Sequence, residues 1–162
     1  MRILGIDPGT LVTGWGLIEE TAGRLTHLDN GGIFPPKKRP LFERVCYIHQ
    51  QLKEIIQKFD PDVLAMEDIF VAKNAASALK LGHARGATMI AAGEAELPLF
   101  EYTANQVKKA ITGYGHANKE QIQKMVKSLL KLPDQAFTDA SDALAVAICH
   151  ANSYRMLKKV GT

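Results

Sequence analysis

The stretch Ile3-Leu4-Gly5-Ile6-Asp7-Pro8-Gly9-Thr10 constrains this chain more than any other. A short apolar run ends in an acid, and Pro-Gly follows at once. Such a run reads as a strand buried on both faces. Pro-Gly after it reads as a tight turn. Asp7 thus stands at the end of a central strand, where rigid backbone meets solvent. An Asp in that place can simply accept turn hydrogen bonds. Three later stretches offer it partners, however: Met66-Glu67-Asp68, Thr138-Asp139 and Ser141-Asp142. Four acids from separate segments make a functional cluster the better reading.

The segments between them predict how the acids meet. Residues 2–7, 13–18 and 25–33 read as three strands. Links containing Pro8-Gly9 and Ala22-Gly23 suit antiparallel hairpins. Leu41, Val45, Ile48, Leu52, Ile55, Ile56 and Phe59 then recur at spacings of three and four, which predicts an amphipathic helix ended by Asp60-Pro61. Val63 to Met66 is a buried strand reached through that helix, so it pairs parallel with the first. This pairing brings residues 67 and 68 to the sheet edge of Asp7. Successive strand residues point to opposite faces, so only one of Glu67 and Asp68 can join Asp7. Chemistry alone does not choose between them.

Residues 74–93 predict a second long helix, with Ala75, Ala78, Gly82, Gly86 and Gly93 at near-helical spacing. Gly costs a helix about 1 kcal/mol against Ala. Two in mid-helix call for close approach by another helix, from this chain or from a second copy. Leu97 to Tyr102 predicts the fifth strand, with Pro98 at its start or on an edge. Thr103 and Gln106 fit a capping box for a short helix. Asn118 caps the next helix, whose outer face carries Lys119, Lys124, Lys127 and Lys131. The last helix starts near Thr138. Asp139 and Asp142 are three apart in its first turns, so they share a face. The small Ala140, Ala143 and Ala145 leave room for that helix to approach the sheet.

The chain has 162 residues, enough for one domain with a full core, residues 1–162. Its net charge of +3 permits a nucleic-acid partner without requiring one. The basic cluster Lys37-Lys38-Arg39 suits a phosphate contact or a solvated loop equally well. Cys46 and Cys149 lie far apart in apolar patterns and read as buried free thiols. That spacing argues against a disulfide framework or a zinc site. No apolar run approaches the ~18 residues of a membrane span, and no secretory leader is evident. A cytoplasmic protein, not a membrane partner, is the expectation.

Carboxylates from two strand ends and one helix make a hard, oxygen-only site. Such a site suits Mg²⁺, with Mn²⁺ as its substitute. Two ions ~3.5–4 Å apart can bind one scissile phosphate and stabilise both attacking and leaving oxygens. The lysine-bearing helices flank this site and can attract phosphates.

These residues carry a resemblance. The chain resembles the RuvC family of Holliday junction resolvases along essentially its whole length. The matching segments are Gly5-Ile6-Asp7-Pro8-Gly9, Met66-Glu67-Asp68-Ile69-Phe70, Ala72-Lys73-Asn74-Ala75, Ser77 to Gly86, Gln106-Val107-Lys108 and Thr138 to Ala145. The resemblance implies an α/β, ribonuclease H-like fold with a five-stranded mixed β-sheet flanked by α-helices. It implies that Asp7, Glu67, Asp139 and Asp142 are the catalytic, metal-binding carboxylates, which selects Glu67 over Asp68. It places basic groups near the scissile phosphate at Lys108 and Lys119. It puts the aromatic that stacks at the junction crossover at Phe70, with Lys73 and Lys109 as further DNA contacts. It further implies a Mg²⁺-dependent endonuclease with two ions per site, acting in recombination and repair. The implied partners are four-way junction DNA, a second copy in a homodimer, and a branch-migration motor of the RuvA and RuvB type. Three other readings compete: an actin-like or sugar-kinase ATP-binding domain, for which a second domain and phosphate loop are missing; a non-catalytic junction-binding protein, which would keep the lysines but not need four convergent acids; and another nuclease on the same fold.

Overall fold

The computed structural model describes residues 1–68 and 74–160, with side chains through Met156. Phe70 and Lys73 lie outside the described residues. In chain order the elements are β1 (Arg2–Asp7), β2 (Thr13–Thr21), β3 (Arg24–Ile33), α1 (Leu41–Phe59), β4 (Val63–Glu67), α2 (Ala75–Glu94), β5 (Leu99–Tyr102), α3 (Ala104–Thr112), α4 (Lys119–Leu130) and α5 (Thr138–Val160).

The strands form one sheet in the order β3-β2-β1-β4-β5. β1 pairs antiparallel with β2, and β2 with β3. β4 joins β1 in parallel, and β5 joins β4 in parallel. Ala22 and Gly23 both have positive φ, 49° and 87°. That is the backbone a two-residue hairpin needs. The fifth strand starts after Pro98 and lies on the sheet edge, where a missing N–H is tolerated.

Helices cover both faces. Ile3, Ile18, Val63 and Ala65 pack with residues of α3, α4 and α5. Leu4, Ile6, Leu17, Leu64 and Met66 pack with residues of α1 and α2. The alternation along β1 and β4 is the strand period of two. It assigns Ile3, Gly5 and Asp7 to the α5 face, and Val63, Ala65 and Glu67 with them.

The approach of α5 depends on glycines as well as on its own alanines. A Cβ at Gly5 would collide with the Ala143 carbonyl, and one at Gly14 with the Asp139 carbonyl. The helix therefore lies directly on the backbone of β1 and β2. Its first turns arrive at the strand end that carries Asp7.

One expectation about the thiols needs correction. Cys149 is buried, but Cys46 is exposed. It lies beside the Ile48–Leu52–Ile56 stripe of α1 and faces a groove shared with α2.

A buried polar pair ties β5 to α5. The Tyr102 hydroxyl and His150 Nδ1 are 2.7 Å apart, and the Phe100 ring lies 4.6 Å from the imidazole. Burial lowers the His150 pKa from its ordinary value. The unfolded chain therefore takes up the proton first as pH falls through about 6.5. The folded state loses stability from there downwards, at no more than ~1.4 kcal/mol per pH unit for one proton. Asp7 is shifted upward and acts in the opposite sense, so two chains must be compared. Urea unfolding of metal-free wild type should lose ground between pH 7.5 and 5.5 relative to His150→Gln. Parallel pH slopes would exclude His150 as the group.

Candidate active site

The strand ends and the start of α5 surround a cleft of about 600 Å³. Asp7, Glu67 and Asp142 line it, with Lys108 from α3 and Lys119 from α4. The register explains the meeting. Ile6 is paired with Met66, so Asp7 and Glu67 follow side by side on adjacent parallel strands. Asp68, one residue past β4, also lines the cleft, but Glu67 is among the carboxylates that push Asp7 up and Asp68 is not. Asp68 pairs with Arg85 instead, which gives a physical basis for preferring Glu67.

Asp139 is half-buried and sits one turn earlier on α5. It does not line the cleft, but its charge reaches Asp7. The Asp7 carboxyl is pushed up to about 7, first by burial, then by Asp142, Asp139 and Glu67, against the pull of Lys119. Glu67 is shifted in the same direction by burial and Asp142, opposed by Lys108 and Lys119. The carboxylates are thus near enough to resist being ionised together.

Two capping boxes set the lysines. Thr103 with Gln106 starts α3, and Asn118 with Gln121 starts α4. Lys119 is the first residue of α4, and its Nζ lies 2.8 Å from Asp142 Oδ2. That hydrogen bond is the main reason the Lys119 ammonium holds its proton more tightly than usual. Lys109 is exposed and lies outside the lining of the cleft.

Among the described residues, no three His, Cys, Asp or Glu side chains converge closely enough to cage an ion. The donor chemistry still fits a hard divalent cation. The donors are carboxylate oxygens alone, they repel one another, and one of them already holds an ammonium in a cation's place.

Arg85 of α2 is a site residue that the sequence did not single out. Its side chain is 11% exposed. One guanidinium nitrogen donates to the Glu67 carbonyl at 2.6 Å, and the other to the Glu101 carboxylate. Asp68 lies 3.6 Å away. Asp68 thus helps neutralise the arginine that holds the end of β4. Arg85→Lys keeps the charge but loses the fork. Junction nicking at saturating enzyme should fall about 10-fold or more, in the range for losing an outer partner of a metal ligand. Junction affinity should change far less, and an unchanged single-turnover rate would remove Arg85 from the site.

The family model for "Crossover junction endodeoxyribonuclease RuvC" matches residues 3–150. The protein of that name from Geobacter sulfurreducens is 57% identical over 153 residues, covering 94% of this chain and 93% of that one. Its counterpart from Trichlorobacter lovleyi is 54% identical over 161 residues, covering 99% and 90%. Among solved structures, T. thermophilus RuvC in complex with a Holliday junction substrate superposes with a TM-score of 0.91. The two are 36% identical, with 96% of each chain covered. The yeast mitochondrial Holliday junction resolvase Ydc2 shares the fold at a TM-score of 0.63, with 11% identity, covering 99% of this chain and 86% of that one. The chain therefore belongs to the RuvC family of crossover junction endodeoxyribonucleases.

Proposed function

We propose that this protein, as one nuclease domain over residues 1–162, resolves four-way (Holliday) DNA junctions by paired symmetric nicks. The observation that carries the reading is the cleft where Asp7, Glu67 and Asp142 face Lys108 and Lys119. Asp7, Glu67 and Asp142, with Asp139 behind them, would hold Mg²⁺, or Mn²⁺ in its place, as two ions per site. Bound there, the metal supplies Lewis-acid charge and a water nucleophile at neutral pH. Lys108 and Lys119 draw the scissile phosphate into the cleft and balance the charge of the carboxylates. Lys119 holds Asp142 at 2.8 Å; with a cation on the carboxylates, its ammonium would be available to the phosphate.

A homodimer would supply the second nick. Gly82, Gly86 and Gly93 have open space where a Cβ would stand. Leu79 and Ile90 are 67% and 57% exposed on the same helix. An apolar groove of about 990 Å³ runs along α1 and α2 past Val45, Gly82 and Gly86. Since no helix among the described residues meets those glycines, a second copy is the proposed occupant. Phe70 and Lys73, with the exposed Lys109, are proposed as further DNA contacts. A branch-migration motor of the RuvA and RuvB type is proposed from family membership, as is action in the cytoplasm. No helix among the described residues is long and apolar enough to cross a membrane.

Competition tests the substrate. A labelled four-way junction with Mg²⁺ should be nicked symmetrically, and unlabelled junction should compete far better than duplex DNA or an RNA–DNA hybrid. Equal competition by the hybrid would favour a different nuclease on this fold.

A further inference from the structure

Phe34 and Phe137 form an aromatic pair that neither the carboxylate cleft nor the α1–α2 groove uses. Their ring centroids are 6.0 Å apart at 35°. They are 61% and 40% exposed, unusual for two large rings already in contact. Both rings lean over Gly32, where a Cβ would meet Phe137 Cζ at 2.6 Å and Phe34 Cζ at 2.7 Å. The glycine leaves room for both ring tips over the sheet end, and each ring keeps a large part of its surface exposed.

Their place in the fold gives them a partner. Phe34 directly follows β3, whose last residue, Ile33, is paired with Thr13. Thr13 is beside Gly14, the register partner of Asp7. The pair is therefore at the same end of the sheet as the carboxylates. Phe137 immediately precedes α5, two residues before Asp139, and its carbonyl accepts from the Ser141 N–H at 2.9 Å. Strands are ~4.8 Å apart, so β3 is displaced from β1 by ~10 Å. A stacked strand advances ~3.4 Å per nucleotide. A DNA strand with its scissile phosphate in the cleft thus reaches the pair within about three nucleotides.

The loop after Phe34 has the matching charge. Pro35 is buried and anchors it, while Lys37, Lys38 and Arg39 are exposed. Arg39 reaches Glu43 at 3.3 Å, which leaves the two lysines as the local excess. Exposed rings beside unneutralised lysines are the combination that holds single-stranded nucleic acid, bases on the rings and backbone on the charges. β3 is two strands from β1 on the side away from β4, so this surface lies on the flank of the carboxylates opposite β4.

We infer that Phe34 and Phe137, with Lys37 and Lys38, form a second DNA contact that stacks an unpaired base near the cut. The inference rests on the nuclease reading above. The test uses four-way junctions with 2-aminopurine at single positions from one to four nucleotides on each side of the cut, in EDTA so that no cleavage occurs. Wild type should change the fluorescence at one position, and Phe34→Leu/Phe137→Leu should abolish that change. Leu keeps the apolar cover over Gly32, so the melting temperature reports whether the fold survives. Affinity should fall about 5-fold or more, the low end for one base–aromatic stack. The salt dependence of binding should stay as in wild type. Lys37→Ala/Lys38→Ala should instead flatten that dependence, its slope shrinking by about one for each phosphate no longer neutralised. Phe34→Tyr/Phe137→Tyr should restore both signal and affinity, which covers the case of a leucine variant that folds poorly. Wild-type affinity and fluorescence in a folded leucine variant would overturn the inference alone. A wild-type protein that does not bind the junction would overturn it together with the proposed function.

Discussion

Asp7→Asn should stop junction cleavage and leave junction binding in place. Asp7 is the carboxylate most strongly coupled to the rest, since Asp142, Asp139 and Glu67 all act on it. Asn keeps the shape and one acceptor oxygen but removes the charge that a divalent cation needs. Loss of an outer partner of a metal ligand typically costs 10–100-fold, so loss of the ligand itself should cost more than about 100-fold in single-turnover nicking. Binding should hold or tighten, because one negative charge near the DNA is gone. Asp68→Asn is the matched control. It follows β4 and lines the same cleft but, half exposed, pairs with Arg85 at 3.6 Å and does not act on Asp7. With Asp68 half exposed and 3.6 Å from the guanidinium, which Glu101 also neutralises, losing this pair should cost no more than about 1 kcal/mol, so its effect should stay below about 10-fold. Nicking by Asp7→Asn at a near-normal rate would show that the carboxylates are not the catalytic site. Equal losses in Asp7→Asn and Asp68→Asn would undo the choice of Glu67 over Asp68.

The contrast between Glu67 and Asp68 marks where sequence reading stops. The strands themselves were legible, because β1 and β4 are continuous apolar runs with clear breaks after them. That same continuity hid the faces. A strand buried on both sides has no polar alternation to reveal which residues point where. The choice became physical only with the β1–β4 register and with α5 lying on Gly5. Arg85 was hidden for a related reason. An arginine in a long helix reads as a solvated charge, and its two targets, Glu67 and Glu101, come from different strands. Cys46 looked buried because it belongs to an apolar helix, yet it faces the groove that the chain leaves open. The caps at Thr103 and Asn118 were legible, since a capping box is written in residues three apart. The aromatic pair was not, because Phe34 and Phe137 are far apart in the chain and meet only through the sheet end.

The glycines of α2 give the second large effect, and it has opposite signs in the protomer and in the dimer. Within one chain, Gly82 and Gly86 stand in open space. A Cβ at either meets no atom of the described residues, and replacing the glycine by Glu removes its helix penalty, up to about 1 kcal/mol relative to Ala. The isolated protomer should therefore melt at the same temperature or slightly higher. Across a two-fold interface the same change appears twice, since the patch meets itself. Two carboxylates would be forced into an apolar groove lined by Val45, Ala78 and Ile90. Like charges placed together at an interface cost several kcal/mol, so dimer affinity should fall by more than about 100-fold. Light scattering should then report a folded monomer for Gly82→Glu/Gly86→Glu. The catalytic cleft is left complete in each protomer, so isolated nicks should persist. The coupled pair of nicks that separates a junction into two duplexes should be lost, because one protomer must dissociate and rebind to make the second cut. A double-glutamate variant that remains dimeric, with paired nicks intact, would move the interface away from α2.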